Sequence, residues 1–427
     1  MDLERLARIR WRRELAAIVA VALALRVAYA WTRPEALGSF RDAWHYVAIA
    51  QSLVARGEYA DTVGLSQGRP LFSDVGPTSF WLPGYPLLVA GVSLVFGPGV
   101  RKLLVTNALL GTLTVLFCGL AARRLAGRRA ALWSAGLVAV NVSQIYFGGL
   151  VGIETLVGTC LAAALWGFAE ARAAWGGEPN SLGRWGAPTL LGVALAAGAL
   201  TRTVFLPISG VLLAALAARV LARGGGAWRA VAACAPPALL VACALVPWLA
   251  RNAARFGEPV YESKVGFNMV IGFNDHADGG FALTGVPDLD ASRYDERARD
   301  RIYRDMATDW IRRHPVRAVA LGGEKLARIW NPVPVWEHGP SAWAFATWSI
   351  GLLALTALGA ALALRTRLEA RIVIWVALAY LIPITLAFAV TRFRAPLEPA
   401  LAILAGAGAE WLVGQAGLTR PAPEALR

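Results

Sequence analysis

Charged residues are scarce in this sequence: they make up 16% of its 427 residues, whereas 57% are hydrophobic. That balance is typical of a polytopic membrane protein, because many stretches are long enough to cross ~30 Å of hydrocarbon as a helix. Lysine is almost absent, although the net charge is +14. The arginines that carry this charge lie in short loops between apolar runs, so the positive excess does not indicate a nucleic-acid partner.

Residues that build disulfides, metal sites and nucleotide sites are also few. The four cysteines all lie within apolar segments, which argues against a disulfide framework or a zinc site. The four histidines are scattered without metal-ligand spacing, and Asp275-His276-Ala277-Asp278 is only a weak candidate for a cation site. No phosphate-binding loop of the Walker type is found, which excludes an ATP-driven pump made of this chain alone.

Apolar runs predict an all-α integral membrane protein, a single polytopic domain over residues 1–427 with about ten spans. A signal peptide is resembled by the Arg-rich residues 1–13, the apolar run after them and Ala28-Tyr29-Ala30, but Arg26 interrupts the apolar run, so we expect a retained first span. The predicted spans are 14–32, 101–122, 130–148, 150–170, 186–203, 205–222, 229–250, 342–364, 372–390 and 396–415.

The arginines predict the orientation, because cytoplasmic loops carry the excess of positive charge. Arginine clusters precede span one and join spans two and three, six and seven, and eight and nine. With ten spans, all of these clusters and both termini fall on the cytoplasmic side. We therefore expect a multi-pass protein of the cytoplasmic membrane.

Two long loops then face outward, residues 33–100 and 251–341. Near-helical spacing of apolar residues predicts interfacial helices in both loops. The predicted helices are 42–56, a short apolar helix within 83–96 that is either interfacial or re-entrant, one around 302–310, and one that begins at Pro315 and ends near Trp330.

Asp42 lies just beyond the first span, at the start of the predicted helix 42–56. Two roles are open to a carboxylate at this position. Aspartate is a common helix cap, and an acid at the outer membrane surface also suits a catalytic base.

Several arginines lie beside the outer ends of spans, where the positive-inside tendency does not favour them. Guanidinium groups bind phosphate oxygens in a fork, so these arginines favour a site for an anionic headgroup. Glu154, at the outer end of span four, is a second acid near them. The alternatives are arginines that reach lipid phosphates and a Glu154 that pairs with an arginine inside the bundle. The arginines are Arg202, Arg251, Arg392 and Arg394.

Several segments, in this order, resemble glycosyltransferase family 39, which contains protein O-mannosyltransferases and lipid A aminoarabinose transferases. The segment from Asp42 to Ala50 is similar to that family's first outer loop, in which an Asp opens an amphipathic helix. The other matching segments are residues 76–86, 251–260, 266–274, His314-Pro315 and 392–399.

The resemblance implies a GT-C-type fold and inverting transfer of one sugar from a polyprenyl-phosphate donor to an extracytoplasmic lipid, glycan or protein acceptor. It also implies that Asp42 is the general base. Many protein O-mannosyltransferases have Asp-Glu at this position, whereas this chain has Asp42-Ala43, so the acceptor class stays open.

The same resemblance extends the candidate site. We expect the donor phosphate to meet the four outer arginines and Lys264, and we expect Tyr46, Glu154 and Asn268 to complete the substrate-binding set. Asp74 is a candidate second acid. No cofactor or metal ligand is predicted beyond the lipid-phosphate sugar itself, and assistance by a divalent cation stays open.

Two rival interpretations belong to other classes. A transporter or flippase of lipid-linked sugars would hold phosphate with the same arginines but would not need Asp42 as a base. Transporters often place key charges at mid-membrane in two repeated halves, whereas this sequence has no visible repeat. A non-catalytic scaffold for envelope assembly is the third interpretation.

Overall fold

The computed structural model describes residues 3–37, 41–63, 75–290, 293–334, 339–366 and 369–416, and within these ranges sixteen α-helices dominate. Two 3-10 helices, Glu369–Arg371 and Thr391–Leu397, join the last α-helices. The α-helices are α1 (Leu3–Thr32), α2 (Asp42–Arg56), α3 (Gly84–Phe96), α4 (Val100–Leu125), α5 (Arg128–Ala139), α6 (Val142–Gly148), α7 (Glu154–Trp175), α8 (Gly183–Ala199), α9 (Phe205–Ala222), α10 (Ala227–Phe256), α11 (Val265–Gly272), α12 (Glu296–Arg313), α13 (Pro315–Trp330), α14 (Pro340–Thr366), α15 (Ile372–Thr385) and α16 (Glu398–Gln415).

Helices occupy all ten ranges predicted to span the membrane. Six helices of the described chain are long and apolar enough to do so, namely those in α1, α4, α9, α10 and α14, and the stretch Thr391–Gln415 that ends with α16. The pair α5 and α6 would make a seventh span. Helices α8 and α15 are shorter, and α7 carries three charged residues. The chain is thus a multi-pass membrane protein, while the number ten stays a prediction.

The predicted span 130–148 is broken, because α5 and α6 meet at an angle of 48°. Asn141 caps α6, since its side chain accepts a hydrogen bond from the Gln144 N–H over 3.0 Å. The carbonyl groups released at the end of α5 are bonded by Arg26 of α1, whose guanidinium donates to Val138 O at 2.8 Å and Ala139 O at 2.9 Å. A cation at the C-terminal end of a helix is favourable, which explains a buried arginine in a span.

Helices α7 and α16 form the centre of the bundle. Nearly every side chain of α7 is buried, as is every residue of α16 from Glu398 to Ala409. Small residues let these helices approach their neighbours closely. A Cβ added at Gly359 of α14 would lie 1.8 Å from Leu404 O, and one at Gly406 would lie 2.4 Å from Ala130 O.

The two long loops fold against each other beside α2. The helices predicted in them are present as α2, α3, α12 and α13, and α13 begins at Pro315 as expected. Glu296, buried at the start of α12, accepts hydrogen bonds from Thr78 Oγ1 at 2.6 Å, from Ser79 N at 2.8 Å and from Ser263 Oγ. This carboxylate therefore joins the two loops.

The all-α prediction missed one small sheet. Strands β1 (Ala60–Asp61) and β2 (Gly76–Pro77) pair antiparallel, with Ala60 opposite Pro77 and Asp61 opposite Gly76. Each strand has only two residues, which is too short for an alternating pattern to show in the sequence.

Candidate active site

The candidate active site is built around one guanidinium group that bonds two carboxylates. Arg392 Nη2 donates to Asp42 Oδ2 at 2.9 Å, and Arg392 Nε donates to Glu154 Oε1 at 2.5 Å. The structure thus brings together three residues that the sequence places on the first outer loop, on α7 and before α16. Asp42, Glu154 and Arg392 form a triad of two carboxylates and one guanidinium, whose formal charge is −1.

Asp42 is the first residue of α2, and the N-cap position belongs to Arg41, which makes no side-chain capping bond. The interpretation of Asp42 as the N-cap residue is therefore wrong. Its carboxylate is 29% exposed and bonds Arg392. A negative charge in the first turn is still favoured by the helix dipole.

Glu154 occupies the first turn of α7 and is only 4% exposed. Its carboxylate packs against Gly152, where an added Cβ would lie 2.6 Å from Glu154 Oε2. The loop before α7, which contains Gly152, is held by two hydrogen bonds. Gly152 N donates to Tyr85 Oη at 3.1 Å, and Asn107 Nδ2 donates to Leu150 O at 2.7 Å. Glu154 therefore pairs with an arginine inside the bundle, as one sequence alternative proposed.

The 3-10 helix that carries Arg392 is held from several sides. Tyr380 Oη donates to Phe393 O at 2.8 Å, and Gln144 Nε2 donates to Ala395 O at 2.5 Å. These bonds satisfy carbonyl groups that the 3-10 geometry leaves free, and they fix the backbone on both sides of the guanidinium.

Tyr46 and Arg202 border the triad. Tyr46 is buried one turn after Asp42, with its ring 5.2 Å from the rings of both Trp81 and Tyr85. Burial raises the pKa of Tyr46 well above its usual value, and the Asp42 carboxylate adds to this effect. The Arg202 guanidinium lies over the Phe393 ring, 4.5 Å from its centroid. Its buried Nη1 makes no hydrogen bond within the described residues.

The guanidinium of Arg251 is hydrogen-bonded to backbone carbonyls of the first outer loop. It donates to Thr78 O at 2.8 Å and to Tyr59 O at 2.6 Å, and its guanidinium lies near the rings of Tyr59 and Trp248. These contacts assign Arg251 to holding the loop.

The guanidinium of Arg394 is likewise hydrogen-bonded to residues of the helical bundle. It is 2% exposed and donates to Glu398 at 3.0 Å, to the carbonyls of Ile329 and Asn331, and to Ser349 Oγ at 2.7 Å. Its bonds join α13, α14 and α16, so they support a structural role rather than contact with a phosphate.

Lys264 lies near Trp81, whose ring also contacts Tyr46. Its Nζ is 2.7 Å from Glu262 Oε1 and 5.0 Å from the centroid of the Trp81 ring. Thr203, next to Arg202, donates to the same Glu262 at 2.5 Å. Glu262, which sequence reasoning missed, therefore links Lys264 to the arginine side of the site. Asn268 is half-buried on α11, and its backbone N–H bonds Lys264 O at 2.9 Å.

Asp74 lies outside the described residues. The carboxylates of the weak cation candidate each have another partner, since Asp275 accepts from Trp310 Nε1 at 2.7 Å and Asp278 from Arg328 Nη2 at 2.7 Å. The described part of the chain contains no group of three or more His, Cys, Asp or Glu residues able to hold a metal ion.

Two buried groups outside the cluster were also missed by sequence reasoning. His45 Nδ1 lies 2.5 Å from Asp61 Oδ2, which joins α2 to β1 beneath Trp81. Lys325 of α13 is completely buried, with Nζ 3.1 Å from Thr385 O and 3.3 Å from the centroid of the Phe273 ring. Burial lowers the pKa of Lys325 to about 7.

An open apolar groove of about 520 Å³ lies between α14 and the break of α5 and α6. Its lining includes Leu137, Val142, Trp343 and Trp348 but none of the candidate site residues. Because a charged reaction centre needs polar groups, the charged cluster and not this groove is the candidate active site.

Over nearly its whole length the chain is similar to solved structures of a membrane oligosaccharyltransferase. AglB from Archaeoglobus fulgidus, in complex with an inhibitory peptide and a dolichol-phosphate, matches with a TM-score of 0.60 and 13% identity, over 99% of this chain and 53% of that chain. The oligosaccharyltransferase of the same organism in complex with Zn and sulfate matches with a TM-score of 0.56 and 15% identity, over 95% of this chain and 50% of that chain. The fold is of the GT-C type. This chain spans about half the length of those oligosaccharyltransferases.

ArnT from Cupriavidus metallidurans bound to undecaprenyl phosphate also matches, with 16% identity over 94% of this chain and 79% of that chain. Its TM-score of 0.43 adds nothing to the assignment of the fold. No protein-family model and no curated protein sequence matches the chain. At these identities the similarities establish the fold alone.

Proposed function

We propose that the chain transfers a monosaccharide from a polyprenyl-phosphate donor to an acceptor hydroxyl or amine at the outer face of the membrane, with inversion at the anomeric carbon. The observation that carries the proposal is the partly exposed Asp42 carboxylate bonded to Arg392, with Arg202 over the ring of the adjacent Phe393, in a GT-C-type fold. The fold is shared with an oligosaccharyltransferase solved with dolichol-phosphate, a ligand of the chemical class that the donor would leave behind.

The reaction divides between the acid and the arginines. Asp42 takes the proton of the acceptor as the acceptor atom forms its bond to the anomeric carbon. The bond between that carbon and the phosphate oxygen breaks, and its electron pair goes to the phosphate. Arg202, whose buried Nη1 lacks a hydrogen-bond partner in the described chain, and Arg392 stabilise the negative charge that develops there.

This scheme uses no divalent cation, and in the donor-free chain the two acids nearest the reaction centre are already paired with a cationic side chain. Asp42 and Glu154 both bond the Arg392 guanidinium, which would repel a second cation at the same oxygens.

A transfer assay with the purified chain and a panel of polyprenyl-phosphate sugars tests the proposal. We expect Asp42→Asn to slow transfer by roughly 10²- to 10⁴-fold, the usual worth of a general base. Asp309→Asn is the matched control, because that carboxylate is 58% exposed on α12 and its ion pair among the described residues is with the exposed Arg312. It should leave the rate unchanged.

Two outcomes contradict the proposal. If Asp42→Asn transfers sugar at the wild-type rate, Asp42 is not the base. If neither protein transfers any sugar and both move lipid-linked sugar across liposomes, the chain is a transporter.

A further inference from the structure

The two carboxylates bonded to Arg392 are not equivalent. Glu154 is 4% exposed and bonds Nε at 2.5 Å, whereas Asp42 is 29% exposed and bonds Nη2 at 2.9 Å. The loop that immediately precedes Glu154 is held in place by Tyr85, which bonds Gly152 N, and by Asn107, which bonds Leu150 O. The Glu154 bond therefore has little freedom to break, while the Asp42 bond lies at the open side of the cluster.

A phosphate group that enters this site must compete with Asp42. Phosphate and carboxylate oxygens bind the same N–H groups of a guanidinium. In the donor-free chain the Nη2 edge of Arg392 is occupied by the carboxylate that the reaction needs as a base. A carboxylate held by an arginine is a weaker proton acceptor than a released one.

We propose that Glu154 is a positioning residue that holds Arg392 by its Nε edge while the donor phosphate replaces Asp42 at Nη2. Binding of the donor thereby releases Asp42 to accept the acceptor's proton. The donor binds first and the acceptor second, so the base is not free in the absence of a sugar to transfer. This inference rests on the proposed function, since it assumes a phosphate-bearing donor at this site.

The proposal makes the two neutral variants behave oppositely toward a phosphate. Asp42→Asn removes the competing carboxylate, so we expect tighter binding. Glu154→Gln removes the charge of the anchor, so Arg392 can turn both its Nε and its Nη2 edge toward Asp42. Because a bidentate pair is stronger than a single bond, the phosphate then has more to displace and binds more weakly.

Simple charge repulsion predicts a different pattern. If the site only sums its charges, then neutralising either carboxylate lowers the repulsion of the phosphate. Both variants would then bind it more tightly, and their effects would add in the double variant.

The experiment is a double-mutant cycle on the full chain in detergent micelles, with farnesyl phosphate as the probe and calorimetry as the measurement of affinity. We expect about 3- to 10-fold tighter binding for Asp42→Asn and about 10-fold weaker binding for Glu154→Gln. The double variant should regain at least the wild-type affinity, because no carboxylate is left for Arg392 to pair with. Asp309→Asn serves again as the control and should match the wild type.

Thermal unfolding of each variant shows whether the fold is intact. If Glu154→Gln is unstable, Glu154→Asp takes its place. This variant keeps the charge and should restore part of the affinity. Tighter binding for both single variants, with additive effects, would overturn the inference and leave the proposed function standing. An absence of farnesyl phosphate binding in every variant, together with an absence of sugar transfer by the wild type, would overturn both.

Discussion

At the scale of single residues, the arginines of the site differ in how many of their N–H groups are already bonded. Arg394 uses Nε and both terminal nitrogens on Glu398, Ser349 and two carbonyls. Arg202 has a buried Nη1 without a hydrogen bond in the described chain. A guanidinium whose three nitrogens all donate to the protein stabilises the fold, whereas one with a buried nitrogen that donates to no described residue is prepared for an anion.

This difference predicts opposite consequences for one substitution at the two positions. Arg394→Met leaves the buried Glu398 without its cation, which typically costs about 3–5 kcal/mol, so the thermal unfolding temperature should fall clearly. Arg202→Met removes a donor to the phosphate, which is worth roughly 1.5–3 kcal/mol. It should therefore weaken farnesyl phosphate binding by more than tenfold and leave the unfolding temperature nearly unchanged.

Calorimetry of binding and thermal unfolding in the same detergent measure both effects. The assignment of roles fails if Arg394→Met unfolds at the wild-type temperature, or if Arg202→Met binds the phosphate as the wild type does.

At the scale of elements, the second outer loop depends on a close crossing of two helices. A Cβ added at Gly266 of α11 would lie 1.9 Å from Asp300 O and 2.8 Å from Arg304 N of α12. Asp300 reinforces the crossing, because its carboxylate accepts from Gly266 N at 2.6 Å. Since Lys264 and Asn268 flank Gly266, this crossing also sets where these two residues lie.

We therefore expect Gly266→Ala to lower the free energy of unfolding by about 1–3 kcal/mol, because the helices must move apart to admit the methyl group. Gly323→Ala on α13 is the matched control, since an added Cβ there meets nothing within 4 Å. It should be neutral or stabilise by roughly 0.5–1 kcal/mol, the usual gain for Ala over Gly in a helix. Equal unfolding temperatures for the two variants would contradict the crossing.

The elements also show which features a sequence can predict. Helix positions follow from apolar run lengths that the bilayer sets, and α13 begins at Pro315 because proline suits a first helical turn. The break at Asn141 was missed, although Asn141 and Gln144 have the spacing of a capping box. Those two polar residues lie inside an apolar run, where run length alone predicts a continuous span.

The pairing of Arg392 with Asp42 and Glu154 could not be predicted from the sequence, for a different reason. The residue types were predicted, but Arg392 meets Asp42 across 350 positions and Glu154 across 238. No local spacing encodes contacts of that range. The number of bonds that each arginine makes depends on the packing of whole helices, so Arg251 and Arg202 are indistinguishable in the sequence although their surroundings differ.

At the scale of the whole molecule, the arrangement of charge along the bundle axis decides which side of the membrane the site faces. Arg124 and Glu170 pair at 2.9 Å near the ends of α4 and α7 opposite the Asp42 cluster. The arginine-rich connections lie at that end, which the positive-inside rule assigns to the cytoplasm. Asp42 and its neighbours are then expected outside, where a lipid-linked donor would be used without a nucleotide.

Labelling with a membrane-impermeant maleimide tests this orientation in intact cells. Asp309→Cys on the exposed face of α12 should react from outside, and Arg129→Cys at the start of α5 should react only after the cells are broken. Both variants are made with Cys243, the exposed native cysteine, changed to Ala, and that parent without a new cysteine is the control. The reverse labelling pattern would place Asp42 on the cytoplasmic side. The positive-inside rule alone would then explain the arginines beside Asp42, and these arginines would no longer support a phosphate site.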